Sequence, residues 1–261
     1  MFLIGGVTTK YVTPSIIFKI DNMHDKIIVH GSGSSGNCLA IYDSRGKYIL
    51  LDVGLPHKEI LQGLNYDIND CVSVICSHNH FADHTKSLDN FIKLGIPCYG
   101  NQDICDHHKG CNLLQKVLKI DGFKIQNFEL VHNVPNNAFI VDTIDNVRIL
   151  YCTDTEFIPK RVKNVNYAII ECNHDYDEMI DNAVNDEFSM SHYENHHSLQ
   201  NCIEYLQAIY NPRLRGIILW HLSESNINAK KAVKKVQEEL GFDNVVYAKK
   251  NVIMPLKTTE I

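Results

Sequence analysis

Apolar and polar positions alternate in short runs through the first third of the chain, and the runs are rich in Ile and Val: Ser15 to Ile20, Lys26 to His30, Cys38 to Tyr42 and Tyr48 to Leu51. Asn22, Gly31 to Gly36 and Gly46 punctuate them, so a period of two broken by turn formers predicts antiparallel hairpins. A helix is expected after Pro56, then a buried strand from Val72 to Cys76, then a polar segment dense in histidine. The next helix carries Leu88, Phe91 and Ile92 on one face and stops at Gly95. Strands are expected from Phe123 to Val131, Ala138 to Val141, Val147 to Tyr151 and Tyr167 to Ile170, with helices near Asp177 to Glu187 and His197 to Tyr210. The end alternates again: a strand from Gly216 to Trp220, a helix from Ala229 to Leu240, and a last strand from Val245 to Ala248. Hairpins mixed with β-to-α units in each half predict an α/β fold. Two sheets would pack face to face with helices outside, a four-layer αββα sandwich whose loops converge at one sheet edge.

Length and composition fit one such domain. A chain of 261 residues with 44% apolar content can bury a full core. A single domain over residues 1–261 is expected, with residues 1–25 as an amino-terminal extension, either an added hairpin or a homodimer contact. No apolar run reaches membrane-spanning length, and Phe2 to Val7 is too short and lacks the basic flank of a signal peptide. The nine cysteines are odd in number and form no CxxC pair, which argues against a disulfide framework or a zinc ribbon and fits a reducing cytoplasm. No membrane association is expected. The net charge of −6 argues against bulk electrostatic capture of nucleic acid, so any such grip must be local. Lys230, Lys231, Lys234 and Lys235, followed by Glu238 and Glu239, read as a solvated helix face.

Histidine is the compositional outlier, and its placement carries the chemistry. In the segment His78-Asn79-His80-Phe81-Ala82-Asp83-His84 the first two imidazoles lie two residues apart, so in an extended loop they face the same way. Asp83 and His84 add a carboxylate and a third imidazole, the mixed N/O set that zinc accepts. Three later apolar strands each lead into a metal-capable residue: Leu130-Val131-His132, Tyr151-Cys152-Thr153-Asp154, and Leu219-Trp220-His221. Cys105-Asp106-His107-His108-Lys109-Gly110-Cys111 is also ligand-rich, but its spacing fits no common zinc module and it reads as a reduced helix end on the surface.

These blocks resemble the metallo-β-lactamase superfamily, specifically its YycJ/WalJ-like subfamily. Gly31-Ser32-Gly33-Ser34-Ser35-Gly36-Asn37 is similar to the subfamily's amino-terminal loop, and Ile49-Leu50-Leu51-Asp52-Val53-Gly54 to the first superfamily motif. The histidine segment matches the second motif, while His132, Asp154 and His221 match the third, fourth and fifth. Glu171-Cys172-Asn173-His174-Asp175 and His197-Ser198-Leu199 resemble further subfamily blocks. The resemblance implies two divalent ions, zinc or manganese, one on His78, His80, His132 and a shared Asp154, the other on Asp83, His84, Asp154 and His221. A hydroxide held between them would be the nucleophile. Asp52 is implied as a carboxylate supporting the metal loop, Ser35 and Asn37 as substrate-facing donors, and Asp83 as a catalytic as well as a ligating residue. His174 and His197 would contact the scissile phosphate or protonate the leaving oxygen, against a plain hydrogen-bonding role for either.

Two departures from the pattern stand out. The superfamily places one residue between the second histidine and the aspartate, whereas here both Phe81 and Ala82 intervene, which predicts a local bulge. Asn133 follows His132 where the subfamily carries an acid. The function implied is a metal-dependent phosphodiester hydrolase acting on DNA as an exonuclease. The alternative is a small-molecule hydrolase of the same fold, acting on a cyclic nucleotide, a thioester or a lactam. A redox di-iron protein is disfavoured because its members carry glutamate where this chain has His80.

Overall fold

The structure, a computed structural model, describes residues 25–178 and 195–256. The expected strand from Ser15 to Ile20 lies outside them, as does most of the expected helix near Asp177 to Glu187. The first sheet contains β1 (Lys26–Gly31), β2 (Cys38–Tyr42), β3 (Tyr48–Leu51), β4 (Cys71–Ile75), β5 (Cys98–Gly100) and β6 (Asn112–Leu113). The second contains β7 (Val117–Ile120), β8 (Phe123–Leu130), β9 (Asn136–Asp142), β10 (Arg148–Cys152), β11 (Tyr167–Glu171), β12 (Gly216–Trp220) and β13 (Val245–Tyr247). A last strand, β14 (Val252–Pro255), returns to pair antiparallel with β1, so the chain does not end its strands at Ala248 as expected. The spatial orders are β14-β1-β2-β3-β4-β5-β6 and β13-β12-β11-β10-β9-β8-β7.

Period-two alternation divides the apolar side chains between two faces, and the layers follow from it. Ile149 and Tyr151 of β10 point inward to meet Ile41, Leu51 and Ile75 of the first sheet, while Leu150 and Cys152 point outward. That outer face is covered by α4 (Leu199–Ile209) and α5 (Ala229–Leu240), through Cys202, Leu206, Ala232 and Val236. The outer face of the first sheet is covered by α1 (His57–Gly63), α2 (Leu88–Lys93) and α3 (Gln102–His107), through Ile60, Phe91 and Ile104. Three apolar layers separate helices, sheet, sheet and helices, so the four-layer sandwich is realised. Ser198 and Asn228 cap α4 and α5 with their side chains, and Gly241 closes α5 in the left-handed conformation. Among the described residues no helix is long and apolar enough to cross a membrane.

The hairpin expectation holds for β1, β2 and β3, whereas β3 and β4 run parallel. Parallel pairing also joins β10, β11, β12 and β13. Its register aligns Cys152 with Ile170 and Glu171 with Trp220, which delivers the residues that follow each strand to one edge of the sandwich.

Candidate metal centre

Three of the residues at that edge have their backbones turned sharply. Asp52 follows β3 at φ 56°, Asp154 follows β10 at φ 50°, and His221 follows β12 at φ 52°. Left-handed backbone is uncommon for residues with a side chain, although Asp and His adopt it more readily than most. Here it breaks each strand abruptly, and all three side chains end beside the histidine segment.

That segment leaves β4 through Ser77. His78 Nε2 lies 3.1 Å from His80 Nδ1 and 3.5 Å from Asp154 Oδ2. The extra residue after His80 is absorbed by a π-helical turn over Phe81–Thr85, in which the amides of both His84 and Thr85 donate to the His80 carbonyl. A π turn is how a helix takes in one added residue without losing register downstream. Asp83 and His84 therefore still face the cluster, while Phe81 projects to solvent, 63% exposed. His84 Nε2 lies 3.3 Å from Asp154 Oδ2, and the Asp83 carboxylate lies 3.5 Å from His84 Nε2 and 3.6 Å from His221 Nε2.

The resulting arrangement contains the two groupings that the resemblance implies. One ligating atom from each of His78, His80, His132 and Asp154 falls within 4.8 Å of the others, and so does one from each of Asp83, His84, Asp154 and His221. The donor chemistry fits divalent cations of the zinc type. The buried Nε2 atoms of His132 and His221 have no hydrogen-bond partner, a deficit that a cation would fill. Electrostatics points the same way. Burial alone would lower the pKa of His221, yet Asp154, Asp83 and Glu171 hold it up at about 10, and Asp52 and Asp154 likewise hold the buried His84 well above the ordinary imidazole range. Against the cost of burial, His221 and His84 hold Asp154 well below the usual carboxylate range. Carboxylates crowd a buried space and favour positive charge within it.

Supporting contacts fix the ring orientations. Asp52 accepts from the Ser77 amide at 2.8 Å and from the Tyr151 hydroxyl at 2.7 Å, and its Oδ2 lies 3.0 Å from His84 Nδ1, leaving Nε2 to face the cluster. Such a carboxylate behind a ligating imidazole sets its tautomer and raises its basicity. His132 Nδ1 donates to the Asn195 carbonyl at 3.2 Å, so main chain supplies what an acid at Asn133 does not. The loop from Gly31 to Asn37 is tied to the histidine segment through main-chain hydrogen bonds. The Asn37 amide donates to the Asp83 carbonyl, the Gly54 amide to the Asn37 carbonyl, and the Val53 amide to the His84 carbonyl.

Not every expected residue reaches the cleft. A cavity of about 480 Å³ opens over the cluster, lined by His80, Asp83, His132, Asp154 and His221, with Ser34, Asn133, Asn173, Asn195, Ser223, Ser225 and Asn226 around them. Asn37 is fully buried, with its side chain against Gly33, Asp83 and His84, and it does not line the cavity. Ser34 lines the cavity in place of Ser35. His174 is fully buried, and burial lowers its pKa to about 4. His197 points away from the cluster, its Nδ1 directed at the Glu156 carbonyl. His196, and neither His174 nor His197, joins His80, His132 and His221 in lining the cleft, and its Nδ1 lies 2.5 Å from Glu171 Oε1. Glu171 is fully buried at the end of β11, accepts from the Thr155 amide at 2.7 Å and lies 3.4 Å from His221 Nδ1. The sequence signal for Glu171 was present, because it closes an apolar strand at the edge where Asp154 and His221 also emerge. The Cys105 to Cys111 segment forms no metal-competent cluster among the described residues; His108 turns to Asp89 at 2.9 Å and both thiols are free.

No family model matches the chain. It is 26% identical to the exodeoxyribonuclease YycJ of Bacillus anthracis over a 166-residue alignment that spans 56% of this chain and 62% of that protein, a little under two thirds of its length. Among solved structures, the metallo-β-lactamase fold protein YhfI of Bacillus subtilis superposes with a TM-score of 0.70 at 17% identity, covering 88% of this chain and 98% of that one. A diphosphatase of the PhnP family superposes with a TM-score of 0.65 at 14% identity, covering 89% of this chain and 98% of that one.

Proposed function

The chain has the metallo-β-lactamase fold, and from that premise we propose that it is a binuclear metal-dependent phosphodiesterase whose substrate is nucleic acid. The observation that carries this reading is that Asp154 belongs both to the cluster with His78, His80 and His132 and to the one with Asp83, His84 and His221; among the described residues a third cluster, of Asp154, Glu171, His196 and His221, shares it as well. His78, His80, His132 and Asp154 would hold one ion and Asp83, His84, Asp154 and His221 the other. Zinc suits the donor set and manganese is the alternative. When bound, two such ions supply Lewis acidity and an activated water near neutral pH.

The chain's own residues supply position and protons. Asp154 and Asp83 anchor the centre of the cleft, and the serines and asparagines around it offer neutral donors to a phosphodiester's oxygens. His196 Nδ1 is anchored on Glu171, which leaves Nε2 to hold a proton for the departing oxygen; Glu171 offsets the effect of burial and keeps the imidazole above its ordinary range. Similarity to a protein named as an exodeoxyribonuclease supports nucleic acid as the substrate class.

A second reading, a small phosphodiester such as a cyclic nucleotide, draws on the cleft itself: among the described residues no lysine or arginine lines it, and the net charge is −6. A parallel assay separates the two. Zinc- or manganese-loaded protein is expected to hydrolyse bis(p-nitrophenyl) phosphate and to degrade single-stranded or linear duplex DNA, and Asp83→Ala and His84→Ala are each expected to abolish both while leaving the fold intact. Cleavage of cyclic nucleotides without cleavage of DNA selects the second reading. Turnover of nitrocefin alone, or failure to bind any divalent ion, removes both.

A further inference from the structure

Beside the metal cleft lies a second groove, of about 370 Å³. One wall is a stripe of α4, where Asn201, Glu204 and Tyr205 recur at the spacing of a single helix face. The opposite wall is the loop after β10, with Phe157 and Arg161. Two stretches of chain join groove and cleft. Asp154 lines the cleft and Phe157, three residues on, lines the groove; His196 lines the cleft and His197 lines the groove. A polymer that places a phosphodiester at the metal cluster therefore has this groove as a neighbour.

The groove's chemistry is unlike that of the cleft. Phe157 leaves 58% of its surface to solvent, yet its backbone is held on both sides: its amide donates to Thr155 Oγ1 at 3.2 Å, and its carbonyl accepts from that hydroxyl at 2.8 Å. An exposed aromatic ring on a fixed backbone is a stacking platform. Arg161 has no ion pair among the described residues, although Glu204 lines the same groove. Residues 158–163 carry Lys160, Arg161 and Lys163 and no acid, a local positive charge in a chain of net −6. Of these, Lys160 lies over the Phe128 ring, and Arg161 is the one that lines the groove. An aromatic face next to an arginine is the combination that binds unpaired nucleotides, whose bases stack on rings while their phosphates meet Lys or Arg.

We propose that this groove is a subsite for the nucleotide adjacent to the scissile phosphodiester of a single-stranded nucleic acid, with the base against Phe157 and the phosphate against Arg161. The proposal rests on the nuclease reading above and adds to it a strand state and a second point of grip. A duplex would keep its bases stacked inside, out of reach of the ring.

The test uses the full chain loaded with zinc, an oligothymidylate of about ten residues, a matched oligouridylate, and bis(p-nitrophenyl) phosphate. Stacking on an aromatic side chain contributes about 1–3 kcal/mol per base. Phe157→Ala is therefore expected to lower the ratio of kcat/KM for the strand to kcat/KM for bis(p-nitrophenyl) phosphate by roughly tenfold or more, mainly through KM. Arg161→Ala is expected to do the same and to reduce the salt dependence of strand binding by the share of one phosphate, a slope of about 0.7. Phe157→Trp gives a readout apart from turnover, because the native Trp220 is fully buried. The introduced indole is expected to be quenched by a phosphorothioate strand, with the stronger of the DNA and RNA arms identifying the sugar. Unchanged kinetic ratios together with no quenching overturn the subsite. Wild-type protein that hydrolyses bis(p-nitrophenyl) phosphate but neither strand overturns the nuclease reading. The fluorescence titration then decides the groove separately, quenching retaining it and silence removing it.

Discussion

Gly54 shows how little space the site leaves. A Cβ on this residue would sit 1.8 Å from the Asp83 carbonyl oxygen and 2.6 Å from the His84 nitrogen, so this glycine packs main chain directly on the main chain of two residues of the cluster. Gly54→Ala must push Asp83 and His84 outward. The expected result is a folded protein, destabilised by about 1–3 kcal/mol, that has lost the ion proposed for Asp83, His84 and His221 and about 100-fold in turnover; metal analysis and thermal unfolding check it together. His30 illustrates a different residue-scale effect. It is buried against α1, and burial, aided by Lys250, lowers its pKa to about 4. The unfolded chain, with an ordinary imidazole, takes up this proton first on acidification. Stability from His30 is therefore complete above about pH 6.5 and is lost as pH falls toward 4, a difference on the order of 3 kcal/mol. His30→Phe is expected to flatten that part of the decline in urea unfolding measured between pH 7.5 and 4. A wild-type slope unchanged by the substitution would sink the assignment.

At the scale of elements, the π turn decides whether the altered spacing in the histidine segment matters. Because the widened turn keeps Asp83 and His84 in place, deletion of Ala82 is expected to close it to an α turn and still bind two ions per chain by metal analysis. A variant that binds only one shows that the wider turn is needed to aim Asp83. The longer elements were legible in the sequence. β2, β3, β12 and α5 have the expected bounds because alternation, turn residues and caps all agree there. β5 and β6, with three and two residues, are too short to show a period, and α3, with six, shows little more than its Asn101 cap. In the site, strand ends pointed to His132, Asp154 and His221. The sequence favoured His197 over His196 and the structure lines the cleft with His196, because neighbours of one residue type differ only in which way the chain turns them, and that is set by contacts with Glu171 and Glu156 far away in sequence.

For the molecule as a whole, the cluster spans the sandwich. His78, His80, Asp83 and His84 come from the first sheet, and His132, Asp154 and His221 from the second. Bound ions would therefore tie one sheet to the other as well as serve chemistry. A ligand at about 1,000 times its dissociation constant adds roughly 4 kcal/mol to the stability of the folded state. Zinc is expected to raise the midpoint of thermal unfolding by several degrees, and a chelator to reverse it, with His132→Ala and His84→Ala each reducing the rise; calorimetry measures all three.

The left-handed backbone at Asp52, Asp154 and His221 carries one more consequence. Each such conformation costs on the order of 1 kcal/mol for a residue with a side chain, and glycine would adopt it freely. Selection for a durable scaffold and selection for a working centre thus pull in opposite directions at the same three positions. A descendant released from its catalytic duty has a short downhill path to a sturdier, inert protein, and persistence of aspartate and histidine there would record that the duty is still being performed.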